Sequence, residues 1–64
     1  MTTETKAAWT ADEARRVIES LEEEVKRAEC MAKVYGQEQR ICVLWKIKAD
    51  DLRTAADMIR RAYL

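Results

Sequence analysis

The chain has 64 residues, 48% of them hydrophobic and 38% charged, with one Gly, no Pro, two Cys and no His. Twelve basic residues balance twelve acidic ones, so the excess positive charge that suits nucleic acid or an acidic membrane surface is missing. A single domain of this size buries too little surface to be comfortably stable alone, and Cys and His are too few for a disulfide framework or a metal site, which leaves regular helix packing or a second copy of the chain as the support.

The opening MTTETKAAWT has neither the basic start nor the apolar stretch of a signal peptide. Residues 1–9 are expected to be an N-terminal tail, followed by one domain over 10–64. No apolar run reaches bilayer-spanning length, and the chain reads as soluble and cytoplasmic with reduced thiols.

Thr10-Ala-Asp-Glu13 has the form of a capping box and predicts a helix starting at Ala11, with Asp12 and Glu13 suited to its positive end. Ala14, Ile18, Leu21, Val25, Ala28, Ala32 and Tyr35 then recur at spacings of four and three, a coiled-coil-like stripe. Asp12 with Arg16, Glu22 with Lys26, Glu23 with Arg27 and Glu29 with Lys33 are acid-before-base pairs four apart on the exposed side. The helix should run over 11–35. Gly36, the only glycine, is placed for a left-handed C-cap.

A second helix is expected over 38–63, with its apolar stripe on Ile41, Trp45, Lys48, Leu52, Ala55, Ile59 and Ala62. That stripe is out of phase with the first, so one continuous helix is disfavoured and the chain should fold back near Gly36. In such a hairpin residues whose numbers total about 72 share a level, which sets Ala28 beside Leu44 and Trp45, Leu21 beside Leu52, and Trp9 beside Tyr63. The same levels set Glu24 near Lys48, Glu19 near Arg53 and Asp12 near Arg60. The fold expected is therefore all-α, an antiparallel helical hairpin pairing as a homodimeric four-helix bundle. The alternative is a helix-strand-helix dimer, because Ile41, Val43, Trp45 and Ile47 also alternate as a strand from Arg40 to Lys48 would.

No catalytic signature emerges. A Cys nucleophile has no His beside it, and Glu22-Glu23-Glu24 and Asp50-Asp51 are sequence neighbours that point in different directions on a helix. No Gly-rich loop, zinc spacing or cofactor motif is present. Cys30 and Cys42 read as two small half-buried residues rather than a disulfide.

What remains is an apolar surplus. Met31, Val34, Val43, Leu44 and Ile47 are left over near the loop after the seam is filled, and contiguous apolar surface of this kind marks an interface. The expected function is that of a small non-enzymatic protein–protein interaction module, a regulator or inhibitor of the type phages and mobile elements carry, which occludes a larger protein. Its expected partners are a second copy and a further protein, with no cofactor, no small-molecule substrate and no membrane. The alternative is a small RNA- or DNA-binding regulator using Lys26, Arg27, Lys33, Arg40 and Lys46. In length and plan the chain resembles the Rop-type RNA-binding hairpins, which pair as four-helix bundles; the resemblance is of architecture and carries no shared residue motif.

Overall fold

The computed structural model describes residues 9–64, and the expected tail therefore lies outside the described residues except for Trp9. Two helices, α1 (Ala11–Val34) and α2 (Gln39–Tyr63), pack against each other as a hairpin. The segment Arg40 to Lys48 lies within α2, so the helix-strand-helix alternative is overturned. Extended backbone there would need a partner strand, whereas a helix satisfies its own amides.

α1 starts as its sequence dictates. The Thr10 hydroxyl accepts the Glu13 amide at 3.1 Å, and the Glu13 carboxylate accepts the Thr10 amide at 2.9 Å. Two otherwise unpaired amides are thereby satisfied, which stabilises a helix end by about 1 kcal/mol. Trp9, just before the cap, stacks on Tyr63 with ring centroids 5.5 Å apart, closing the open end of the hairpin.

The turn departs from expectation. Gly36 does not adopt a left-handed backbone; the chain leaves α1 through Tyr35 at φ −98°, ψ 26°. The Gly36 amide donates to the Lys33 carbonyl at 3.1 Å and the Glu38 amide to the Tyr35 carbonyl at 2.9 Å. Glycine is favoured here by close approach instead, since a Cβ would sit 3.2 Å from the Lys33 carbonyl oxygen. α2 then begins at Gln39, after Glu38 as N-cap, with no side-chain cap and no acid in its first turn.

The seam is built mostly from methyl groups. Of the seven buried residues among those described, Ala14, Ala28, Ala32, Ala49 and Ala56 are alanines, and Ile18 and Val25 are larger. Val25, Ala28 and Ala49 form its centre, with Trp45 and Leu52 packed partly buried against them. Small side chains on both helices permit close approach of the two backbones.

The α1 stripe faces inward as expected, apart from Tyr35, which is exposed. On α2 the inward line is Cys42, Trp45, Ala49, Leu52, Ala56, Ile59 and Tyr63. It is turned away from the expected one. Ile41 is 36% exposed, and Lys48 and Ala62 are exposed as well. The turn brings Ala49 in place of Lys48 into the seam, which keeps a charge in water and lets alanine meet alanine. Lys48 instead rests its ammonium 5.1 Å from the centre of the Trp45 ring.

Candidate interaction surface

With helical residues stepping about 100° around the axis, the hairpin presents two unlike broad faces. One is charged. Glu22, Lys26, Glu29 and Lys33 of α1 meet Lys46, Arg53, Asp57 and Arg60 of α2 along two shallow grooves of about 650 and 560 Å³. Arg53 pairs with Glu29 and Arg60 with Glu22, the latter at 2.9 Å, so both interhelical ion pairs among the described residues lie on this face.

The expected pairs Glu24 with Lys48, Glu19 with Arg53 and Asp12 with Arg60 do not form. Each arginine reaches a glutamate ten positions nearer the loop than the acidic residue the sequence levels set beside it. Side chains on a helix lean toward that helix's N-terminus, so across an antiparallel pair the arginine leans toward the loop and the glutamate toward the open end. Along the helices none of the four expected pairs is among the ion pairs of the described residues: Asp12 takes Arg15 and Glu24 takes Arg27, each three residues on, while Asp57 pairs with Arg61 four on.

The opposite face is apolar. On α2 it consists of Ile41, Leu44, Ala55, Met58 and Ala62, a second heptad line running beside the seam and interrupted by Lys48 and Asp51. Leu44 is 65% exposed and Met58 63%. On α1 the same face carries Val17, Glu24 and Met31, seven residues apart and each half-buried, with Ser20 and Arg27 exposed between them, so its apolar character comes mainly from α2. No interhelical ion pair of the described residues crosses it.

The five apolar residues singled out from the sequence divide among three places. Met31 and Leu44 share the apolar face. Val43 and Ile47 project from the outer edge of α2, one turn apart, where Val43 and Leu44 line a shallow depression with Gln39 and Arg40. Val34 stands exposed on the far side of α1. The spacing of the sequence sets Ile41 in the seam, whereas the structure places it on the apolar face; the signal for that is the second heptad line from Ile41 to Ala62.

The basic candidates are likewise divided. Lys26, Lys33 and Lys46 line the charged grooves among Glu22 and Glu29, Arg27 pairs with Glu24 at 3.4 Å, and Arg40 sits beside Val43 and Leu44. They do not make one basic patch. Cys30 is exposed and Cys42 half-buried, and neither is bonded. Among the described residues no group of three His, Cys, Asp or Glu is placed to hold a metal, and no helix is long and apolar enough to cross a membrane. Comparison with protein-family models, curated proteins and solved structures returns no match.

Proposed function

We propose that this chain is a non-enzymatic protein–protein interaction module whose hairpins pair as a homodimeric four-helix bundle and which regulates or inhibits a larger protein by covering part of its surface. One observation carries the reading. The seam buries five alanines and two larger aliphatic residues, while Val34, Val43, Leu44, Ile47 and Met58 each remain more than half exposed. A hairpin that buries so little gains from a second layer over Leu44 and Met58 on its apolar face, the other three lying off that face. After that face is covered, the edge formed by Val43 and Ile47 is left for another protein.

The test joins sedimentation equilibrium of the purified chain with photo-crosslinking in cells from positions 43 and 47, and from 26 and 46 on the charged face. A dimer at micromolar concentration that persists as salt is raised, with protein adducts identified from 43 or 47, supports the reading. A salt-insensitive monomer overturns the bundle. Nucleic-acid adducts from 26 and 46, with binding that collapses as salt rises, replace the reading with that of a nucleic-acid regulator.

A further inference from the structure

We infer that the loop-end groove of the charged face takes a short acidic segment of the protein partner, a carboxylate side chain or two set among apolar residues. The inference rests on the interaction module proposed above and gives the chemistry of what it holds.

The two grooves of that face differ in charge. The ion pair of Glu29 with Arg53 borders both and separates them. On its open-end side Glu22 and Asp57 stand with Lys26 and Arg60, acids balancing bases, and Arg60 is paired with both acids. On its loop-end side stand Lys33 and Lys46, and the lining there holds no carboxylate besides Glu29. Glu29 is the acid four residues before Lys33, and Arg53 already holds it. Asp50 follows Lys46 by four residues, a base-before-acid order that gives the weaker helical pair. Neither lysine belongs to an ion pair of the described residues. Each helix therefore brings one uncompensated cation to the same groove.

The base of the groove selects among anions. Ala32 and Ala49 are buried there, Cys42 is half-buried and Gly36 has no side chain, so a space of about 650 Å³ is floored by small, weakly polar groups. A Glu or Asp side chain can hold its oxygens between the lysines and rest its methylenes on that floor, with the polar end outward and the apolar stem inward. A nucleic-acid strand fits less well. Its phosphates recur at short intervals, and the next positions along the face present Glu22 and Asp57. Charge thus limits the occupant to a short segment.

The groove also adjoins the apolar edge. Lys46 follows Val43 by three residues on α2 and is its neighbour on the helix surface, and Val43 and Ile47 are both more than half exposed. A segment with its carboxylate between Lys33 and Lys46 reaches that edge with the apolar residues beside it.

The test selects binders of the wild-type chain from a displayed library of short random peptides and measures the leading peptide, made with a fluorophore, by anisotropy. Enriched sequences should carry Asp or Glu next to Leu, Ile, Val or Phe, with affinity that weakens as salt is added. Lys33→Ala or Lys46→Ala should weaken binding by about 2–5-fold, and Lys33→Glu with Lys46→Glu by more than about 10-fold. Lys26→Glu, in the balanced groove, should stay within about 2-fold of the wild type. Circular dichroism checks that each variant keeps its helicity. No enrichment, enriched peptides without an acid, or equal losses in Lys26→Glu and the double variant overturn the groove. A single-stranded oligodeoxynucleotide that binds as tightly as the peptide and is lost in the same double variant overturns it as well. Protein adducts from positions 43 or 47 that are unchanged by Lys33→Glu with Lys46→Glu overturn the groove while leaving the interaction module standing, whereas no protein adducts at all overturns both.

Discussion

Arg53 of α2 pairs across the hairpin with Glu29 of α1, and not with Glu19, the carboxylate that the sequence levels set beside it. The two partner side chains are about half exposed, 56% for Arg53 and 45% for Glu29, so solvent screens much of their attraction. A double-mutant cycle of Arg53→Ala with Glu29→Ala, read by urea unfolding, is expected to give a coupling of about 0.2–1 kcal/mol that shrinks as salt is added. The matching cycle with Glu19→Ala should give none. Coupling to Glu19 in place of Glu29 would reject the side-chain lean described above.

The cap at Thr10 offers a sharper loss. Thr10→Ala removes the acceptor for the Glu13 amide and frees the reciprocal contact, and should destabilise the hairpin by about 0.5–2 kcal/mol. Thr10→Ser keeps the hydroxyl and should unfold within a few tenths of a kcal/mol of the wild type. Thermal melts followed by circular dichroism compare the two. Equal losses would mean that the hydroxyl contributes nothing.

Neighbouring positions on α2 distinguish the expected stripe from the observed one. Ala49 is 2% exposed and faces the alanines of α1, so Ala49→Leu should force the helices apart and cost about 1–3 kcal/mol. Lys48→Leu, on the line expected from the sequence, is outside the seam and should leave unfolding midpoints unchanged or higher. The reverse outcome in denaturant titrations would restore the original stripe.

Gly36 yields a prediction by what it lacks. Because its backbone is not left-handed, Gly36→Ala gains from a less flexible unfolded chain and loses through the 3.2 Å approach to the Lys33 carbonyl. The opposing effects should leave stability within about 1 kcal/mol of the wild type in urea unfolding. A larger loss would indicate a left-handed turn.

These residues also mark where sequence reasoning succeeds. The capping box, the α1 stripe, the fold-back and the Trp9 contact with Tyr63 were all legible, because each depends on local chemistry or on a period that one helix displays by itself. The face of α2 was not. Periodicity gives weight to Ile41 over Cys42 and cannot see that Ala49 and Ala56 allow a closer approach than the larger residues beside them. The ion pairs were misplaced for a different reason: matching Cα levels ignores the lean of long side chains, and that lean moves the meeting point several residues along the seam. The candidate surface was legible only in kind, as an apolar excess near the loop, since its division between a face and an edge depends on how α2 is rolled.

The turn between Tyr35 and Glu38 contains no residue whose own backbone preference commands a reversal, and the first turn of α2 has no side-chain cap. The packing of alanines along the two helices therefore supports the reversal alongside the two backbone hydrogen bonds of the turn. Turn and seam are thus held jointly, and weakening the alanine packing removes much of what keeps the two helices folded back on each other.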